Sequence, residues 1–144
     1  MRVVFDTNII VASVIAPHGY TAHIIELAEQ QAFDLVVSEP ILREYEATLQ
    51  RPDVQRRHQL SPEVIHEEII EGIRKFAFLV TPTIKVQVVS ADPDDDKFIE
   101  CAVAGTAEII VSSDPHLLDI GSYNDIQIVT PAGFLHLLEQ QDAA

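Results

Sequence analysis

The sequence predicts an α/β fold: three layers, α/β/α, with a short central parallel sheet. Three observations carry this expectation. Short apolar runs of strand length alternate with helical patterns along the whole 144-residue chain. Those runs are apolar at consecutive positions rather than at every second one, as strands covered on both faces are. No internal repeat, low-complexity tract or linker interrupts the alternation, so a single domain is expected over residues 1–144.

The elements follow in order. Arg2 to Phe5 reads as a buried strand, and Asn8 to Ala16 as an apolar helix stopped by Pro17-His18-Gly19. Thr21 is placed to cap a second helix, with Ile24, Ile25, Ala28 and Ala32 on its inner face. Asp34 to Val37 is the next strand. Ser38 opens a helix to about Gln50, with Pro40 in the first turn, where no amide donor is needed. Arg51 to Leu60 reads as a polar connection. Ser61-Pro62-Glu63 is a helix start, followed by Ile65, Ile69, Ile73 and Phe76 at helical spacing. Pro82 closes that region, and Val86 to Val89 is a short strand candidate. Asp92-Pro93 starts a helix with Phe98, Ile99, Ala102 and Val103 inward. Glu108 to Val111 is a strand, Ser113-Asp114-Pro115 starts a short helix through Leu118, and Gln127 to Val129 is the last strand. Pro131 opens a final helix to about Gln140.

Composition bounds the function. Apolar residues are 47% and charged residues 22%, a globular balance that excludes a disordered chain. The single cysteine, Cys101, has no intramolecular partner and follows core spacing. No apolar run approaches the ~20 residues of a membrane span, and Asp6 breaks the first one too early for a signal core, so the expectation is a cytoplasmic protein. The net charge of −14, with nine Lys and Arg, offers no broad basic face. Either the acids only solubilise the chain, or some are metal ligands whose bound cation reverses the local field.

Their positions favour the second reading. Ligand sites in open parallel sheets lie beyond the carboxyl ends of the strands. Asp6 and Asp114 follow two strands there, and Glu44 lies two turns into the helix after a third. A fourth acid comes from the run Asp92 to Asp96. Asp95 shares a helical stripe with Phe98 and Ala102; Asp96, on the stripe of Ile99 and Val103, stands second, and Asp94 in the first turn also has reach. Taken singly, Asp6, Asp92 and Asp114 read as N-caps and Glu44 as a solvated helix residue. Converging, they need another reason, since two carboxylates at ~5 Å repel by about 3 kcal/mol at an effective dielectric of ~20. A hard cation offsets that, and all-oxygen ligands suit Mg²⁺ or Mn²⁺.

Asp6-Thr7-Asn8-Ile9 after a first strand, Ser38 to Glu44, Asp92 to Asp95 leading into Phe98 to Ala102, and Val111-Ser112-Ser113-Asp114 with Leu117-Leu118 occur in that order. Together they resemble PIN-domain proteins, in the branch of toxin components of bacterial type II toxin–antitoxin systems related to VapC-type toxins. The resemblance implies a Mg²⁺- or Mn²⁺-dependent endoribonuclease with Asp6, Glu44, Asp95 and Asp114 as the acidic quartet. It also implies Thr7, Asn8 and Ser113 as supporting polar residues, an RNA substrate, a cognate antitoxin and a homodimer.

Other chemistries find less support. A haloacid-dehalogenase-like phosphohydrolase wants an acid where Asn8 stands. A flap-type DNA nuclease usually carries more chain, and a receiver-like or other non-catalytic binding module lacks a convincing Asp–Lys pair. His66-Glu67-Glu68 is followed by Ile70 where a zinc-protease helix needs its second His. For RNA phosphates the best basic group is Arg51, Arg56 and Arg57, with His58 nearby; Lys97 and Arg43 neighbour the acids.

Overall fold

In the computed structural model, which describes residues 1–143, the strands are β1 (Arg2–Phe5), β2 (Asp34–Val37), β3 (Phe78–Leu79), β4 (Ile109–Val111), β5 (Ser122–Tyr123) and β6 (Ile126–Val129). They form one six-stranded sheet in the order β3-β2-β1-β4-β6-β5, parallel except for the β5–β6 pair. The chain winds outward from β1 in one direction and returns to β4 on the other side. Between β1 and β4 lies the switch point, where a crevice opens beyond the strand ends.

Consecutive residues Val3, Val4 and Phe5, Leu35, Val36 and Val37, and Ile109, Ile110 and Val111 are all buried. Successive strand side chains point to opposite faces, so both faces of the sheet are covered, as the unbroken apolar runs require. Helices α1 (Thr7–Ile15), α2 (Tyr20–Glu29), α3 (Glu39–Leu49), α4 (Pro52–His58), α7 (Asp96–Ala104), α8 (Pro115–Leu118) and α9 (Pro131–Ala143) flank it. α7 packs against β1, β2 and β4. The Phe33 ring meets Phe5 and Phe134 edge-on, which ties α9 to the sheet. Among the described residues no single helix is long and apolar enough to cross a membrane.

Several expected boundaries move, each for a physical reason. The Arg51–Leu60 connection is helical: Pro52 fits the first turn, and His58 closes the end by bonding the Leu49 carbonyl and accepting from the Leu60 amide, both at 3.0 Å. Gly19 rather than Thr21 precedes α2, and Ala32 lies exposed beyond it. The helix begun at Ser61 runs through α5 (Pro62–Val64), a π-helical stretch at Ile65–Ile70 and α6 (Glu71–Phe76), so its apolar stripe drifts from ideal spacing. Val86 to Val89 is not a strand; the Val86 amide bonds the Glu100 carboxylate and the Val88 and Val89 amides bond Asp96, so side chains replace ladder partners. The strand on that edge is instead β3, two residues long. With β5, it was too short to carry a periodic signal.

Gly105 ends α7 where the helix meets β2. A β-carbon there would collide with the buried Val36 side chain, which has no free space to yield. Gly105→Ala is expected to cost about 1–3 kcal/mol through overpacking, seen as a lowered melting temperature with the far-UV spectrum unchanged.

Candidate active site

Strand pairing builds the first half of the site. Phe5 stands opposite Val111, and the Asp6 amide donates to the Val111 carbonyl at 2.9 Å, so the chain leaves both strands side by side. Asp6 precedes α1, but its side chain makes no capping bond. Its carboxylate instead accepts from the Ser112 hydroxyl at 2.6 Å, and that hydroxyl accepts from the Asp114 amide at 2.9 Å. Ser112 is fully buried, so one side chain fixes the Asp6 carboxylate and the Asp114 turn together. Asp114 does cap its helix, accepting from the His116 amide at 3.0 Å. The two acids that look alike in sequence thus differ: one is free of local duty and the other carries it.

α3 supplies Glu44. Its neighbour Tyr45 is fully buried and donates to the Phe5 carbonyl, which pins this turn of α3 to the end of β1. Burial pushes the Tyr45 phenol well above its usual range, so it stays a donor. Glu44 accepts from the Thr7 hydroxyl and, at 2.7 Å, from the Lys97 ammonium, which also stands 3.5 Å from Asp94. Burial presses on the Lys97 charge, but Glu44 more than offsets it and the pKa rises.

Orientation distinguishes the three aspartates of the third segment. Asp95 closes a 3₁₀ turn (Pro93–Asp95) begun by Asp92, whose carboxylate caps the Asp94 amide. Asp95 is only 9% exposed and faces the cavity. Asp96, the alternative next to it, is turned away and occupied by the Val88 and Val89 amides at 3.1 and 2.8 Å. Asp94 lines the cavity, but its side chain is 79% exposed and leans on Lys97.

Asp6, Glu44, Asp95 and Asp114 thus line one cavity of about 240 Å³, with Thr7, Asn8, Thr48, Asp92 and Asp94. Arg51 also lines it, whereas Arg56 and Arg57 do not. Arg57 instead sits over α1 beside Asn8 and Val11. Ser113 is exposed; the bond expected of it belongs to Ser112, one residue earlier, because the buried position points inward. Ser112, Tyr45 and Thr48 were not singled out in the sequence, and only for Ser112 was there a signal, its place at a strand end. Cys101 is buried as expected, with its thiol pushed up to about 12 by burial.

Burial is the first cause of the site's electrostatics. It lifts Asp6 to about 6 against the Ser112 bond, with Asp114 and Glu44 adding repulsion. It lifts Asp95 to about 7, helped by the charges of Asp6, Asp92 and Asp114. Among the described residues no three His, Cys, Asp or Glu side chains are already drawn together in ion-holding geometry. The fit to a hard divalent cation rests on donor chemistry and demand: oxygen ligands only, and two buried carboxylates whose ionisation a cation would favour.

A mostly parallel sheet with an acid-lined cavity at its switch point defines an α/β protein with a carboxylate-centred site. Residues 2–116 match the PIN domain family model, and the chain belongs to that family. It is 26% identical to the uncharacterized protein MJ1680 of Methanocaldococcus jannaschii over 148 aligned positions, covering 97% of this chain and 93% of that protein. The crystal structure of FitAcB from Neisseria gonorrhoeae shares the fold at a TM-score of 0.54, with 12% identity, over 90% of this chain and 98% of that one.

A folded-state carboxyl pKa above its unfolded value means that the native state keeps a proton the unfolded chain has released. Stability is then lost as pH rises from about 4, the model-peptide value, through the folded values near 6 and 7. In chelator, Asp95→Asn is expected to weaken that decline and to melt a few degrees above the parent at neutral pH. Asp96→Ala should behave oppositely, losing about 1–3 kcal/mol because two backbone amides lose their acceptor. Melts of the three proteins across pH separate the site acid from the structural one.

Proposed function

We propose that this protein is a metal-dependent endoribonuclease and the toxin of a toxin–antitoxin pair, working in the cytoplasm. The carrying observation is that Asp6, Glu44, Asp95 and Asp114, from four separate segments, line one cavity. Two of them, Asp6 and Asp95, are buried at an electrostatic cost that no capping bond repays.

Asp6, Asp95 and Asp114 would hold Mg²⁺ or Mn²⁺, with Glu44 as a further ligand or as the base. The ion supplies charge neutralisation at the phosphate and lowers the cost of deprotonating water. The chain's own residues do the rest. Ser112 fixes the rotation of the Asp6 carboxylate, as polar partners of ligands do. Glu44, held from one side by Thr7 and from the other by Lys97, orients the attacking water and takes its proton. Asn8 and Arg51, at the rim of the same cavity, meet the phosphates of the strand.

The toxin assignment rests on the motif resemblance and on the acidic crevice. An antitoxin that closes it with an Arg side chain matches guanidinium to carboxylate geometry. The homodimer follows from the same resemblance.

Cleavage of single-stranded RNA is expected in Mg²⁺ or Mn²⁺ and not in chelator. Asp6→Asn and Asp114→Asn should each lower the rate at least ~100-fold, the scale on which removal of a positioned catalytic group acts, with circular dichroism unchanged. Equal cleavage with and without chelator would sink the metal-dependent reading.

Expression of the parent protein should arrest growth, and Asp6→Asn should relieve the arrest. A harmless parent across several hosts would remove the toxin half of the proposal.

A further inference from the structure

The acidic cavity has a neighbour of opposite character. A groove of about 430 Å³ runs between the start of α3, the extended segment after β3 and the side of α7. That volume falls within the roughly 300–1,000 Å³ of small-ligand sites. Its apolar wall is Val80, Pro82 and Ile84, and Ile84 is 59% exposed. Its cations are Arg43, Lys85 and Lys97, three of only nine Lys and Arg in the chain.

Accounting for each charge shows the net field. Glu39 on the wall is paired with Arg74, which also bonds Glu71. Glu100 accepts from the Val86 amide at 3.0 Å. Lys97 lines the groove while its ammonium holds Glu44, on the wall of the acidic cavity, at 2.7 Å. Arg43 and Lys85 are exposed and make no ion pair among the described residues. In a protein of net charge −14, the groove sets two unpaired cations, Arg43 and Lys85, against the one unpaired carboxylate of Glu100, a local excess of positive charge beside an apolar wall.

We propose that this groove is the binding track for the RNA strand next to the scissile phosphate, with Arg43 and Lys85 on backbone phosphates and Ile84 and Pro82 against a base. This rests on the nuclease reading. An unpaired base offers an apolar face and a charged backbone in one unit, which is the pairing of surfaces the groove presents. Continuity through Lys97 places the groove's occupant within reach of the acids. The path departs from the Arg51–Arg57 stretch that the sequence singled out. Of that group only Arg51 borders the site, and on the acidic cavity rather than in the groove.

The test is the salt dependence of binding to a short oligouridylate in Mg²⁺, using Asp6→Asn protein so that the strand stays intact. Each phosphate contact to a single strand contributes a slope of about 0.7 in log K against log salt. Arg43→Ser/Lys85→Ser should therefore flatten the slope by about 1.4. In the cleaving protein the same pair should raise KM for the oligomer several-fold and leave kcat within about twofold, as loss of uniform binding does. Arg56→Ser/Arg57→Ser is the competing path. If it flattens the slope and the groove pair does not, the groove proposal is overturned while the nuclease reading stands. If RNA is neither bound nor cleaved, both fall. If polyglutamate binds with the same dependence on Arg43 and Lys85 and RNA does not, the groove belongs to an acidic peptide and the proposal is overturned.

Discussion

Parallel pairing of β1 with β4 is the constraint on which the rest of the site depends. The backbone bond from Asp6 to Val111 extends that pairing one residue past the last strand position. Two chain segments over a hundred residues apart therefore emerge together and turn into helices at the same level. Ser112 converts this backbone register into a side-chain register by bonding the Asp6 carboxylate and the Asp114 amide with one hydroxyl. A buried hydroxyl that both donates and accepts has one orientation that satisfies both, so the two acids cannot drift independently.

The other two acids are brought in by packing rather than by pairing. Tyr45 reaches the Phe5 carbonyl from α3, which makes the placement of Glu44 a by-product of a buried phenol. Asp95 arrives because α7 lies against β1, β2 and β4 and its first turn overhangs their ends. Helix packing on a sheet fixes the stripe that faces inward, and of the four aspartates in the 92–96 run it buries Asp95 against the cavity and turns Asp96 away from it. Its neighbour Asp96 is then spent on the 86–89 segment, where two amides have no strand partner. The residues just before that segment, Val80 to Lys85, form one wall of the cationic groove.

Charge within the site is distributed unevenly. Asp6 and Asp95 meet the greatest desolvation, Asp114 is partly exposed and capping, and Glu44 is held by a cation of the chain itself. Lys97 therefore neutralises one corner permanently and leaves the demand for positive charge at the opposite one. Placing a side-chain cation there lowers the net repulsion among the carboxylates.

Local chemistry was enough to determine much of this protein. Unbroken apolar triplets in β1, β2 and β4 announced a sheet covered on both faces. Pro40 and Ser38 fixed the start of α3, and acids at strand ends announced a common crevice, because these signals act within a few residues of the chain. The order of the four motifs carried the resemblance to the family. What only the tertiary structure decided are choices in which a residue has two chemically equal uses. Asp95 and Asp96 are the same side chain, and Ser112 and Ser113 are the same side chain. Which one serves the cavity depends on which direction its carrier presents once packed. Asp6 and Asp114 both precede helices, yet only Asp114 caps, because Ser112 takes the Asp6 carboxylate first. The 86–89 run has strand composition and no strand partner, since Asp96 and Glu100 reach its amides from α7. Composition states what a residue can bond; only the folded chain states which bond is within reach.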